Sequence, residues 1–64
     1  MTIAKDATIG DGVQIGDNTS IGKDTIIGDN VEIGTGVTIG KNVTIADGAV
    51  IPDGTSIPNG GTFP

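Results

Sequence analysis

The sequence predicts an all-β protein that consists of one parallel β-solenoid with three short strands in each 18-residue coil. Three observations predict this fold: a large apolar residue at every sixth position, a small or β-branched residue two positions before it, and turn-forming residues between successive pairs. A six-residue segment cannot bury its apolar side chain alone, so such segments must stack on one another. Dividing 64 residues by 18 gives about 3.5 coils, and we treat residues 1–64 as one domain.

The large apolar residues keep their six-residue spacing through the whole chain, without an insertion. They are Ile3, Ile9, Ile15, Ile21, Ile27, Ile33, Ile39, Ile45, Ile51, Ile57 and Phe63. The small or β-branched partners are Ala7, Val13, Thr19, Thr25, Val31, Val37, Val43, Ala49 and Thr55. Residues two apart lie on the same face of a strand, so both sets are expected to point inward. The residue between them is mostly polar, which is typical of an outward position.

Pairs of turn-forming residues follow the apolar positions. They include Asp11-Gly12, Asp17-Asn18, Asp29-Asn30, Asp47-Gly48 and Asp53-Gly54. Glycine, asparagine and aspartate tolerate positive φ angles and tight corners, so each pair is predicted to form a corner of the coil.

The length of one coil is indicated by the charged residues. At a separation of eighteen, the three lysines align with one another, and so do Asp11, Asp29 and Asp47, whereas a separation of twelve mixes lysine with aspartate. Stacking like charges about 4.8 Å apart is unfavourable, but exposed charge pairs contribute only about 1 kcal/mol or less. We therefore expect 18-residue coils and three sheets, whose inward residues are Ile3, Ile21, Ile39, Ile57; Ile9, Ile27, Ile45, Phe63; and Ile15, Ile33, Ile51.

The repeat resembles the hexapeptide-repeat family, whose pattern is an aliphatic residue, a Gly, Ala, Glu or Asp, two free positions, a small residue and one free position. Segments such as Ile9 to Gln14 and Ile33 to Thr38 fit this pattern, and the match covers essentially the whole chain. The resemblance implies a left-handed coil, which is an exception to the usual right-handed crossover. Pro52, Pro58 and Pro64 depart from the pattern, since the family usually has Gly or Ala there.

Composition excludes several classes of function. The chain has no cysteine and no histidine, so it lacks thiolate metal ligands and the commonest general base. One phenylalanine is its only aromatic residue and its net charge is −5, which argues against a nucleic-acid partner. Neither a signal-peptide pattern nor a long apolar run is present, so no membrane association is expected and the cytosol is the default compartment.

The resemblance also implies candidate activities. Many hexapeptide proteins are trimeric acyltransferases in which a histidine acts as base beside a loop that interrupts the coil, and others are carbonic anhydrases that bind zinc through histidines. This chain has neither the histidine nor the interruption, so no catalytic, cofactor-binding or metal-binding residue can be carried over. A third role in the family, that of a helical domain serving assembly or regulation, needs none of those residues.

Two surface features are candidates for binding. Asp11, Asp29 and Asp47 would form a column of carboxylates that could bind a hard cation such as calcium, although turn geometry alone also explains them. Outward rows of hydroxyl residues loosely resemble ice-binding β-helices, although threonine also suits strands in general. The rows are Thr2, Ser20, Thr38, Ser56 and Thr8, Ile26, Thr44, Thr62. Two large apolar residues, Ile26 and Val50, are predicted to point outward on different faces.

The sequence therefore predicts a non-catalytic structural scaffold or assembly module. The alternatives are an acyltransferase-type domain that uses acyl-coenzyme A and a surface binder of ice or cations.

Glu32 is the one acidic residue outside the corners, in a column with Gln14 and Val50, and has no acid or nucleophile partner there. Partners are expected to be other copies of the chain, as a trimer or end to end, and Pro58, Phe63 and Pro64 are predicted to cap the C-terminal end.

Overall fold

A computed structural model of the protein describes residues 2–63, in which eleven two-residue strands follow one another. They are β1 (Thr2–Ile3), β2 (Thr8–Ile9), β3 (Gln14–Ile15), β4 (Ser20–Ile21), β5 (Ile26–Ile27), β6 (Glu32–Ile33), β7 (Thr38–Ile39), β8 (Thr44–Ile45), β9 (Val50–Ile51), β10 (Ser56–Ile57) and β11 (Thr62–Phe63). Each strand consists of one outward residue and the large apolar residue that follows it. A corner separates it from the next strand.

The strands form three parallel sheets, which are the three sides of the solenoid. Their orders are β1-β4-β7-β10, β2-β5-β8-β11 and β3-β6-β9. Partners in a sheet are eighteen residues apart, as in Ile3 opposite Ile21 and Ile21 opposite Ile39. The prediction of three strands per 18-residue coil is therefore confirmed, and Ile9 pairs with Ile27 rather than with Ile21.

The core is a single column of apolar side chains along the solenoid axis. Its buried members are Ile21, Ile27, Val31, Ile33, Val37, Ile39, Val43, Ile45, Ala49, Ile51 and Ile57. The inward residues are less well covered at the N-terminal end, where Ile3 pairs with Ile21 as predicted but is 39 % exposed. A side chain in a middle coil is covered by coils on both sides, whereas the described residues place no coil below Ile3.

The corners have the backbone conformation that their residues predict. The second corner residue has a positive φ at Asn18, Asp24, Asn30 and Asn42 and at Gly12, Gly36, Gly48, Gly54 and Gly60. Glycine adopts this left-handed conformation without a steric cost, and asparagine and aspartate adopt it more readily than other residues with a side chain. The chain can therefore turn between sheets within two residues.

Candidate functional site

A groove runs along the sheet formed by β3, β6 and β9, here called the Glu32 face. The outward side chains of this face are Gln14, Glu32 and Val50, which stack one coil apart. The groove is open to solvent, has a volume of about 600 Å³, and extends to Thr35 and Asp53 at the adjoining corner. A ligand in this groove would find both polar and apolar contacts.

Charges are segregated around the solenoid. Six of the eight acidic residues lie on the Glu32 face or on its two corners: Asp11, Asp17, Asp29, Glu32, Asp47 and Asp53. The three lysines all lie on the opposite corner, together with the other two aspartates: Lys5, Asp6, Lys23, Asp24 and Lys41. The Glu32 face is therefore strongly negative and repels anionic ligands.

The predicted carboxylate column is used to join neighbouring coils. An Asp29 carboxylate oxygen accepts a hydrogen bond from the backbone N–H of Asp11 at 2.9 Å, and Asp47 accepts one from Asp29 at 2.8 Å. Asp53 and Asn59 accept equivalent bonds from Thr35 and Lys41. Within residues 2–63, no cluster of acidic residues is arranged to hold a metal ion. The geometry therefore indicates that these carboxylates stabilise the corners and join the coils, rather than bind a cation.

These bonds between coils were missed by sequence reasoning, which treated the corner aspartates as turn formers only. The signal was present, because Asp and Asn stand eighteen residues after a corner residue whose N–H needs an acceptor. Only the 18-residue register shows that the side chain and the N–H belong to adjacent coils.

Two buried threonines make a second set of contacts between coils. The hydroxyl of Thr19 donates to the Gly34 carbonyl at 2.9 Å, and that of Thr25 donates to the Gly40 carbonyl at 2.8 Å. Among the described residues, every buried side-chain polar atom has a hydrogen-bond partner. The sequence predicted that both threonines point inward, but not which carbonyls they bind.

The hydroxyl rows lie where the sequence placed them. Thr2, Ser20, Thr38 and Ser56 stack in one sheet, and Ile26 interrupts the row of Thr8, Thr44 and Thr62 in another. Ile26 and Val50 are exposed on different faces, as predicted. The two apolar side chains therefore do not combine into one patch.

The predicted cap is described in part. Pro58 is exposed and Phe63 is half-buried against the core, whereas Pro64 lies outside the described residues. The effect of the cap on self-association stays a prediction.

A three-sided parallel β-solenoid with a six-residue repeat and 18-residue coils defines the class of protein. The model of the family described as bacterial transferase hexapeptide (six repeats) matches residues 6–41 and 18–53, which together span most of the chain. The chain therefore belongs to the bacterial transferase hexapeptide family, and its solenoid is the left-handed parallel β-helix of that family.

Comparisons with curated proteins and with solved structures gave no significant match. In the part of the chain that the structure describes, no helix is long and apolar enough to cross a membrane.

Proposed function

We propose that this chain is a rigid, non-catalytic scaffold or assembly module. The observation that carries the proposal is the use of the corner side chains. Asp29, Asp47, Asp53 and Asn59 each accept a backbone hydrogen bond from the preceding coil. Oxygen atoms that could act as ligands or bases are thereby engaged in holding the solenoid together.

The continuity of the repeat supports the same proposal. Each strand has two residues and each corner follows the same spacing from Thr2 to Phe63. Enzymes usually place their catalytic groups on loops that leave the regular scaffold, and this stretch contains no such loop. A solenoid with uniform coils is well suited to holding attached groups at a fixed distance.

Acyl transfer from acyl-coenzyme A is the second candidate function, favoured by the family and by the groove on the Glu32 face. Glu32 is the acidic side chain in the middle of that groove. The phosphate groups of coenzyme A are anionic, however, and six carboxylates surround this face. Repulsion between like charges therefore favours the scaffold over an acyl-coenzyme A site on this surface.

An acyl-transfer assay tests the proposal. Acetyl-coenzyme A is incubated with the chain and a panel of amine and hydroxyl acceptors, beside a titration of coenzyme A binding. We expect neither turnover above the buffer rate nor saturable binding. Acyl transfer that is lost in Glu32→Gln but kept in the control variant Asp17→Asn would overturn the scaffold proposal. Binding without turnover would favour a fragment of an acyltransferase.

A further inference from the structure

The side of the solenoid formed by β2, β5, β8 and β11, here called the Ile26 face, has no charged residue in its strands. Its outward row consists of three threonines and Ile26, whose side chain is 52 % exposed and stacks between Thr8 and Thr44. Removing a large apolar side chain from water is favourable, and no charge has to be desolvated with it. This face is therefore suited to being covered by another surface.

The two edges of the Ile26 face differ in charge. The corner before the face carries a lysine in each of three coils, and the corner after it carries an aspartate in each. The pairs are Lys5 and Asp11, Lys23 and Asp29, and Lys41 and Asp47. Asp6 and Asp24 share the lysine corner and leave it with a net charge of +1, against −3 on the aspartate corner. The members of a pair are six residues apart, so their heights along the solenoid axis differ by about a third of the roughly 4.8 Å between coils.

This charge pattern is complementary to itself in one orientation. A second copy is turned about an axis parallel to the solenoid axis, so that its Ile26 face points towards the first copy. Its aspartate corner then lies against the lysine corner of the first copy at nearly the same height. A copy turned upside down would instead bring lysine against lysine and aspartate against aspartate. Attraction between opposite charges therefore selects parallel solenoid axes.

The other two sides are less suited to contact with a copy of themselves. Both corners of the Glu32 face carry aspartates and neither carries a lysine, so two such faces repel each other. The outward row of the side formed by β1, β4, β7 and β10 contains only serine and threonine. Covering that row would desolvate hydroxyl groups without removing a large outward apolar side chain from water.

We infer that copies of this chain associate side by side through the Ile26 face, with parallel solenoid axes and the lysine corner of one copy against the aspartate corner of the next. The Ile26 side chains of the copies lie at equal heights and meet near the rotation axis. A ring of two copies and a ring of three copies repeat this same contact. Either ring is closed, because every Ile26 face is then turned inward.

The contact surface is small. The described residues span 20 × 20 × 18 Å, so one side offers less than the roughly 800 Å² per partner that stable complexes bury. The association is therefore weak and requires high protein concentration. The inference goes beyond the proposed scaffold function and holds for an enzyme as well, so the acyl-transfer assay and the measurements below fail separately.

Sedimentation equilibrium up to millimolar concentration tests the inference on the full chain. We expect an equilibrium between the monomer and one closed oligomer of two or three copies. Ile26→Lys places a charge in the contact and should weaken association at least about tenfold, whereas Val50→Lys, which adds the same charge to the Glu32 face, should not weaken it. A second matched pair is Thr44→Lys on the Ile26 face and Thr38→Lys on the neighbouring side, since both threonines are exposed in the same coil.

A chain that stays monomeric at every concentration, or that grows into species without an upper limit, would overturn the inference. Association that Thr38→Lys or Val50→Lys weakens as much as Thr44→Lys and Ile26→Lys would do the same, because it would not depend on the Ile26 face.

Charge reversal tests the contact between corners. Lys5→Glu and Asp11→Lys each bring like charges together between copies and should weaken association about two- to fivefold, the range of exposed ion pairs. The double variant restores opposite charges in reversed order and should associate like the unchanged chain. Within residues 2–63 the Asp11 carboxylate makes none of the bonds between coils that Asp29 and Asp47 make, so its replacement keeps them. A double variant weaker than either single variant would contradict the contact.

Spin labels test the direction of the solenoids. The chain has no cysteine, and Thr8 and Thr62 are exposed on the Ile26 face three coils apart, so each is replaced by cysteine in a separate variant and labelled. Parallel axes predict that two copies labelled at residue 8 give a shorter distance than a copy labelled at residue 8 mixed with one labelled at residue 62. The reverse order would mean antiparallel axes and would overturn the inference.

Discussion

Ile39 and Ile3 occupy the same position in the same sheet, yet the side chain of Ile39 is 2 % exposed and that of Ile3 is 39 % exposed. Ile39 lies between two coils, whereas Ile3 has a neighbour on one side only among the described residues. Identical repeat units therefore differ in stability because each coil is buried by its neighbours.

The largest effect is expected from a cavity in the middle of the solenoid. Ile39→Ala should lower the free energy of unfolding by about 4 kcal/mol, since it removes a fully buried side chain. Ile3→Ala, its counterpart in the first coil, should cost about 1 kcal/mol because Ile3 is partly in water already. Urea unfolding of both variants measures the difference. Equal losses would contradict the dependence of burial on neighbouring coils.

A methyl group between two coils should have the next largest effect. Gly22→Ala places a Cβ against the backbone of Gly40 and should cost about 2–3 kcal/mol. Pro58→Ala changes the same position of the repeat in the last coil and should alter stability by no more than about 1 kcal/mol. Thermal unfolding compares the two. A Gly22→Ala variant as stable as Pro58→Ala would show that the coils can separate without cost.

Ala4 shows why this comparison concerns the middle of the solenoid. It carries a methyl group at the same position as Gly22, beneath the second coil. The first coil packs on one side only, so it can shift to make room. Gly22 lies between two coils and has no such freedom.

The aspartates at the corners should contribute a smaller amount. Asp47→Ala removes the acceptor of the Asp29 N–H and should cost about 1 kcal/mol, whereas Asp47→Asn keeps an acceptor and relieves like-charge repulsion. Asp11→Ala is the control in the first coil, where the carboxylate has no coil below it among the described residues. In urea unfolding, Asp47→Ala should have a lower free energy of unfolding than Asp47→Asn and Asp11→Ala. An equal loss in Asp11→Ala would argue against the bond between coils.

The smallest effect is expected from a buried hydroxyl. Thr19→Val removes the bond to the Gly34 carbonyl but fills the same volume, so stability should change by less than about 1 kcal/mol. Val37, in the same column, shows that valine fits this position. Thr19→Ala should cost more, because it also leaves a void. Calorimetry of the two variants separates the lost hydrogen bond from the lost volume.

The sequence predicted the repeat, the three sheets and the inward residues, because a period of six with alternating polarity has few structural solutions. It also predicted the positive φ of corner residues such as Asn18 and Asn30. Handedness came from the family resemblance, since periodicity is the same for both hands. The partners of Asp29, Asp47 and Thr19 could not be predicted, because side-chain geometry decides which backbone atom of the adjacent coil each one meets.

The cap that the sequence predicts at Pro58, Phe63 and Pro64 stays a prediction, because Pro64 lies outside the described residues. The hydrogen bonds show that the residues at the equivalent position of earlier coils donate to the coil that follows, as Gly34 does to Ile51 and Gly40 to Ile57.

Amide hydrogen exchange tests the central claim, that each coil is held in place by hydrogen bonds to its neighbouring coils. In a parallel ladder, adjacent residues of one strand donate in opposite directions, so the Ile57 N–H donates to the coil below. The Ser56 N–H points the other way, towards the open side of the last described coil, here called the rim. The account predicts a protected Ile57 amide, a rapidly exchanging Ser56 amide, and protected amides at both Thr38 and Ile39 in the coil below. Equal protection of Ser56 and Ile57 in dilute, monomeric protein would mean that the rim is covered and would contradict the account.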